Sequence, residues 1–253
     1  MNDPHVEALY YDFVSEIPSD KFDQAIPLNT LLGTFSVELK NGKLMAQPKI
    51  HFSDEEDAKA ALKPLLRSWE SAALLSESRF RIRFIYRKAS VIDRNPTPGV
   101  VSLRAQSLST VITTDKATLN RFMHEFPAPD PSFQASPLTD DLLSLLREYR
   151  DGHMRLTTMA NLVLGILQNE FGNRKNVSEK LQVSREVLNT LGTLSSSTDL
   201  KYGRKARGLR PASLTSIQLQ WLDSATVQLI YKVGEINAGT PITQITMQDF
   251  PDI

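Results

Sequence analysis

Proline residues divide this chain of 253 residues into two parts of different character. Pro127, Pro129 and Pro131 fall within five residues, and Pro137 follows shortly after. Proline fixes its own φ angle and lacks a backbone N–H, so regular structure does not continue through such a run. The sequence therefore predicts a proline-rich linker at 127–138, between an α+β domain at 1–126 and a second domain at 139–253.

Turn and alternation patterns predict strands in the first part. Apolar and polar residues alternate over 35–39, and Asn41-Gly42 follows before an apolar return. Asn-Gly between strand-like runs favours a type I′ hairpin, because both central residues need a positive φ angle. Alternating apolar residues over 79–93 and β-branched residues over 100–114 predict two further strands.

Helices accompany these strands. An amphipathic helix is predicted at 54–75, and Ser53 with Glu56 matches a capping box at its start. Pro64 is expected to kink this helix or divide it in two. A short helix is predicted at 116–125. Strands and helices together predict a mixed α/β domain with an antiparallel hairpin.

Beyond the linker the pattern is helical. Thr139 is predicted to cap the first of these helices, and a capping box at Thr215 and Gln218 opens the last. The predicted helices cover 140–151, 154–171, 177–181, 184–194 and 216–236. A short tail follows, with one strand expected at 242–247. The chain is therefore predicted to be α+β, with an all-α helical bundle at its C-terminal end.

Charge and composition exclude several functions. Lys plus Arg and Asp plus Glu both total 29, so the overall field of the chain does not attract nucleic acid or anionic lipid. There are no cysteines, the four histidines are well separated, and metal-ligand and phosphate-loop motifs are missing. We therefore expect no metal and no cofactor. With no secretory signal pattern and no apolar run near the ~20 residues of a membrane span, the expected location is cytoplasmic, without membrane association.

One segment has a marked local charge. Residues 201–210 contain five basic residues and no acidic residue. Arginine and lysine contact phosphate groups, and a tyrosine can stack on a base. The predicted nucleic-acid-binding residues are Lys201, Tyr202, Arg204, Lys205, Arg207 and Arg210. The alternative is a solvated loop between helices whose charges pair with nearby acids such as Asp199.

Two other segments match patterns of nucleic-acid binding. Residues 176–188 read as a short helix, a turn at Gln182-Val183 and a second helix that opens on polar and basic residues, which is a helix-turn-helix pattern. The turn lacks glycine, and such helix pairs are also common in bundles. Arginines on one face of the 79–87 strand could follow a phosphate backbone, or protect a sheet edge from aggregation.

The chain also resembles a protein family. The segments FSVELKNGKLMAQPKIHF, DLLSLLREYRDGHMRLTTMANLVLGILQNEFG, VSREVLNTLGTLSS, GRKARG and LTSIQLQWLDSATVQLIYKVGEI resemble an uncharacterised family of bacterial cytosolic proteins. The C-terminal bundle is similar in outline to HEPN domains, which occur in bacterial defence and toxin–antitoxin proteins. Many HEPN domains are metal-independent ribonucleases that use an arginine and a histidine with four to six residues between them. The resemblance implies Arg147 and His153 as such a pair.

These observations predict a non-catalytic binding protein whose partner is a nucleic acid, held through residues 201–210, or another protein. The resemblance implies a link to bacterial defence or toxin–antitoxin systems. The alternatives are a metal-independent endoribonuclease with Arg147 and His153 at its site, and a structural module that forms a homodimer.

Overall fold

The structure of the chain is a computed structural model in which two compact units, Met1–Asp130 and Pro131–Ile253, make up the molecule. The boundary between them falls inside the segment predicted as a linker. The structure describes residues 3–15, 27–76, 81–95, 126–196 and 214–253. The strand predicted at 100–114 and the helix predicted at 116–125 lie outside these residues.

Among its described residues, the first unit contains a five-stranded antiparallel sheet and one helix. The strands are β1 (Pro4–Ser15), β2 (Leu28–Leu32), β3 (Phe35–Lys40), β4 (Lys43–Pro48) and β5 (Ile82–Asp93), and α1 (Glu55–Ser76) precedes β5. Their order in the sheet is β2-β3-β4-β1-β5. Together with the helices of the second unit, this sheet confirms the predicted α+β class.

The predicted hairpin is the pair β3–β4. Asn41 and Gly42 have φ angles of 50° and 65°, as a type I′ turn requires, and Lys40 pairs with Lys43 across them. Phe35, Val37 and Leu39 alternate inward and are buried.

Strand β1 was not predicted, and an irregularity at Glu7 explains why, although its pairing with β5 is irregular at two places. Its pairing with β5 shifts register between Val6 and Ala8 and between Tyr10 and Tyr11. Glu7 is thus an extra residue on β1, and Arg87 is an extra residue on β5. Such bulges interrupt the two-residue period by which strands are recognised in a sequence.

Helix α1 has a different N-terminal cap from the predicted one and continues through Pro64. Asp54 caps it, because its Oδ2 accepts a hydrogen bond from the Glu56 N–H at 2.9 Å. The predicted capping residue, Ser53, lies one position earlier. Pro64 lies inside the helix and does not divide it, and the Ser68 hydroxyl donates to the Pro64 carbonyl at 2.9 Å.

Trp69 of α1 anchors the core of the sheet unit. The indole packs on Phe84 with ring centroids 4.8 Å apart, and its Nε1–H donates to the Pro127 carbonyl at 2.8 Å. Phe126, just before that proline, meets Phe13 of β1 edge to face. The start of the predicted linker is therefore bound to the core of the first unit.

The second unit is helical. Its helices are α2 (Pro137–Arg150), α3 (Leu156–Phe171), α4 (Arg174–Leu181), α5 (Arg185–Ser196) and α6 (Ser216–Ala238). Thr215 and Gln218 form the predicted capping box of α6. In the residues that the structure describes, no helix is both long and apolar enough to cross a bilayer.

Helix α2 starts three residues earlier than predicted. Ser136 is its N-cap, and Thr139, the predicted cap, is the third helical residue. The two side chains form a reciprocal capping box, in which Ser136 N–H donates to Thr139 Oγ1 at 2.6 Å. Pro137 occupies the first helical position, where a missing N–H costs nothing.

The segment before α2 packs on the end of α6. The Phe133 ring is buried directly over Gly234, and Gln134 N–H donates to the Gly234 carbonyl at 3.1 Å. The hydroxyls of Ser132 and Tyr231 are 2.9 Å apart. A side chain at position 234 would overlap the Phe133 ring, so glycine is required there by the close approach.

This contact predicts opposite effects for two helical glycines. Gly234→Ala should destabilise the helical unit by about 1–3 kcal/mol, because Phe133 would be forced from its site. Gly165→Ala in α3 meets no atom within 4 Å and should stabilise the unit by about 0.5–1 kcal/mol through helix propensity. Urea denaturation of the two variants measures both changes. Equal free energies of unfolding for the two variants would show that the packing of Phe133 does not require glycine at position 234.

Two histidines meet at the start of the sheet. The Nδ1 atoms of His5 and His51 are 3.1 Å apart and the rings stack with centroids separated by 5.1 Å. One Nδ1 must donate and the other accept, so the contact requires at least one neutral ring. Burial lowers the pKa of His5, and the positive charges of Arg94 and His51 lower it further, against smaller opposite effects of Asp3 and Glu7.

Stability of the sheet unit should therefore fall on acidification. Below the ordinary histidine pKa of 6.5, the unfolded chain takes up a proton at His5 more readily than the folded chain, so the free energy of unfolding decreases. We expect His5→Gln to reduce the fall in the free energy of unfolding between about pH 7.5 and about pH 5. Chemical denaturation at each pH measures this free energy. His153→Gln, at an exposed histidine, is the control and should retain the wild-type slope.

Candidate nucleic-acid interface

Helices α3, α4 and α5 form a three-helix arrangement in which α3 packs on both shorter helices. Val177 and Leu181 are the buried residues of α4. Helix α5 buries Val187, Leu188 and Leu191. The predicted short helix, turn and second helix are thus present, at slightly extended bounds.

The turn between α4 and α5 has three residues, as in helix-turn-helix motifs. Gln182 adopts the left-handed conformation, with φ 51° and ψ 50°, where such motifs often place glycine. Its N–H donates to the Ser178 carbonyl, and its side-chain Nε2 donates to the Glu179 carbonyl at 2.8 Å. The Ser178 hydroxyl donates to the Val183 carbonyl at 2.6 Å. These hydrogen bonds stabilise the turn, although its sequence contains no glycine.

The C-terminal tail clamps the same turn. The Ser184 N–H donates to the Ile245 carbonyl and the Ile245 N–H donates to the Gln182 carbonyl, both at 2.8 Å. Ile245 is buried, and Phe250 packs on Trp221 with ring centroids 5.2 Å apart. The strand predicted at 242–247 is therefore a single parallel bridge, followed by a 3₁₀ turn at Met247–Asp249.

The outer face of α5 is polar. Ser184 stands before the helix, and its Oγ accepts a hydrogen bond from the Val187 N–H at 3.3 Å. Exposed side chains then recur at helical spacing along one side, with the tail in its docked position. They are Arg185, Glu186, Asn189, Thr193 and Ser196, and together they form the polar stripe of α5.

Arg174 of α4 fixes one of these residues. Its Nη1 donates to Asn189 Oδ1 at 3.1 Å, while the guanidinium lies against Gly192, where a Cβ atom would overlap it. The carboxamide oxygen of Asn189 is thereby engaged, and its nitrogen keeps both hydrogens as donors. Neither the arginine nor the glycine was identified from the sequence as part of the motif.

The other predicted sites are placed as follows. The basic residues Lys201 to Arg210 lie outside the described residues, so their role stays a prediction. Phe84 and Tyr86 of β5 pack toward the core of the sheet unit, whereas Arg83 is exposed. Arg87 is paired with Asp12 of β1, so the arginine face is partly neutralised.

Arg147 and His153 lie on either side of the C-terminal end of α2. Arg147 is half-buried in the last turn, and His153 is exposed in the turn that follows, where its N–H donates to the Glu148 carbonyl at 2.9 Å. Burial raises the pKa of the Asp223 carboxyl in α6, while the positive charge of Arg150 lowers it. Sequence reasoning missed Asp223, since nothing in the sequence relates it to the end of α2.

The strained turn gives a test of the helix-turn-helix geometry. Gln182→Gly should keep the fold and raise the thermal midpoint, because glycine adopts positive φ without the steric cost. Gln182→Val should lower the midpoint, because a β-branched residue is disfavoured there. A midpoint that falls in the glycine variant would mean that the Gln182 side-chain bond outweighs the backbone strain.

Neither a metal centre nor a relative identifies the function of this surface. Among the described residues, no three histidine or acidic side chains come together as metal ligands would. Comparisons with protein-family models, curated proteins and solved structures found no match to this chain. Function must therefore be inferred from the chemistry of the α4–α5 surface.

Proposed function

We propose that this protein binds duplex DNA, with α5 as the recognition helix of a helix-turn-helix formed by α3, α4 and α5. The observation that carries the proposal is the polar stripe on α5, which begins directly after the left-handed turn. In helix-turn-helix proteins the residues at the start of the second helix contact base edges in the major groove. Arg185, Glu186 and Asn189 occupy these positions.

The side chains on the stripe are of the types that discriminate bases. Arginine pairs with the O6 and N7 atoms of guanine, asparagine with adenine, and glutamate accepts from the amino group of cytosine. Arg174 engages the Asn189 oxygen at 3.1 Å, so Asn189 is held in one orientation before any ligand arrives. A pre-oriented side chain loses less conformational entropy on binding.

Phosphate contacts would come from neighbouring cations. Lys175 and Lys180 are exposed on α4, the helix that lies across the DNA backbone in this class of motif. Lys175 is only loosely paired with Glu179, at 3.9 Å. The predicted basic segment 201–210 follows α5 in the sequence and would add sequence-independent contacts. A chain of zero net charge depends on such local clusters to bind a polyanion.

The other predicted functions lead to different experimental results. A protein partner or homodimer would use the α5 face without DNA affinity. The ribonuclease alternative requires RNA cleavage that is lost in His153→Ala.

Selection of duplexes from a random pool, followed by gel-shift titration, tests the proposal. We expect enrichment of a short motif, and Arg185→Ala or Asn189→Ala should each cost about 1–3 kcal/mol of binding free energy at one base pair. Joint replacement of Arg204, Lys205 and Arg207 by alanine should weaken binding to all sequences. It should also reduce the magnitude of the slope of log K against log salt concentration by up to about 3.

Arg83→Ala is the matched control, because it removes an exposed arginine from β5 and leaves α5 intact. Its affinity should equal that of the wild type, and the thermal midpoints of all variants should agree within a few degrees. Failure of the wild type to enrich any motif or to bind DNA at low salt would contradict the proposal. A motif that is unchanged in both α5 variants would contradict the assignment of α5.

A further inference from the structure

A pocket in the sheet unit has features of a small-molecule site. It lies between α1 and the strands β1 and β5, and it encloses about 580 Å³. Small-molecule sites commonly have volumes of ~300–1,000 Å³, with apolar walls and a few well-placed polar groups.

One wall is aromatic. Tyr11 of β1 and Tyr86 of β5 meet edge to face, with ring centroids 5.4 Å apart. Phe84, two residues before Tyr86, lines the same wall and is packed from behind by Trp69. Leu66 of α1 also lines the pocket. This wall suits a planar ring, because aromatic pairs are favoured in stacked or edge-to-face contact.

Helix α1 contributes three cations at four-residue spacing: Lys59, Lys63 and Arg67 all line the pocket. Lys59 is already neutralised, since its Nζ is 2.7 Å from Glu56 Oε1 and lies over the Tyr86 ring at 4.4 Å. Lys63 is exposed and forms no ion pair with any residue that the structure describes. Arg67 has an interaction of its own within the protein. Lys63 is therefore the cation that we take to be available to an anionic ligand.

The Tyr11 hydroxyl is a second available group. Tyr86 donates its hydroxyl to Glu55 Oε1 at 2.6 Å. Tyr11 is only 7% exposed, yet its hydroxyl makes no hydrogen bond with the residues described. Burial, with the charges of Glu55 and Glu56, raises the pKa of Tyr11 to about 12, so the hydroxyl stays protonated as a donor. Because Tyr11 lines the pocket, its hydroxyl can donate a hydrogen bond to a ligand bound there.

We propose that this pocket binds a small planar aromatic carboxylate. Its ring lies against Phe84 and Tyr86, its carboxylate pairs with the Lys63 ammonium, and a ligand oxygen accepts from the Tyr11 hydroxyl. A single unpaired ammonium matches one negative charge. The carboxylates of Glu56 and Glu70 also line the pocket, and they would repel a phosphate dianion more strongly than a carboxylate with one negative charge.

This inference concerns the first unit and does not rest on DNA binding. Isothermal titration of the full chain with benzoate, 2-naphthoate and indole-3-acetate tests it, with 2-naphthalenemethanol as the neutral counterpart. We expect saturable binding of at least one of the acids. The carboxylate should bind at least about tenfold more tightly than the alcohol, because a charge-assisted bond contributes about 1.5–3 kcal/mol.

Three variants locate the site. Lys63→Gln should lower the affinity for the bound acid about tenfold and should leave the affinity for the alcohol unchanged. Tyr11→Phe should lower the affinity for the bound acid severalfold. The fold should be retained, because the ring remains. Lys40→Gln removes an exposed lysine of β3 that does not line the pocket, and should match the wild type. Absence of saturable binding by any of the acids, equal affinity for acid and alcohol, or wild-type affinity in Lys63→Gln would overturn the proposal.

Discussion

The backbone conformation of residues 182–184 determines the arrangement of the helical unit. Helix α4 has eight residues, too few to be stable by itself, and it buries only Val177 and Leu181. Its direction relative to α5 is set by the left-handed Gln182 and by two backbone hydrogen bonds to Ile245. If this turn opened, the polar stripe of α5 would lose its fixed position beside Arg174.

Both proposed sites follow from the same division of a helix into two faces. The apolar face of α5 is used entirely by packing, and the apolar face of α1 is used by contact with the sheet. The remaining face of each helix has no role in the core, so it can carry side chains selected for their chemistry. On α5 these are the groups that we propose contact bases, and on α1 they are cations beside an aromatic wall.

Local signals made part of this structure predictable from the sequence. The Asn41-Gly42 turn and the Thr215–Gln218 capping box depend on neighbouring residues alone, and both are found as expected. The short helices around 176–188 were also expected, although the missing glycine argued against their function. Sequence reasoning could not know that hydrogen bonds from Ser178 and Ile245 would support a left-handed glutamine.

Long-range features were not predictable. Strand β1 is hidden by its bulge at Glu7, because the extra residue reverses the inward and outward positions that follow. The pocket combines Tyr11, Lys63 and Tyr86, which are distant in the chain and meet through the pairing of β1 with β5 and the packing of α1 on these strands. The four-residue spacing of the α1 cations was visible, but their position beside two tyrosines was not.

The pairing of β1 with β5 also affects how the chain folds. The Asp3 N–H reaches the Asp93 carboxylate across 90 positions of sequence, whereas α3, α4 and α5 follow one another closely. Folding slows as contacts become more distant in sequence, because the entropy of closing a long loop is lost before the contact forms. Helices α3, α4 and α5 should thus associate early, and the sheet should close late. Until it closes, β1 presents an unpaired edge, and the aromatic wall that the pocket requires does not exist.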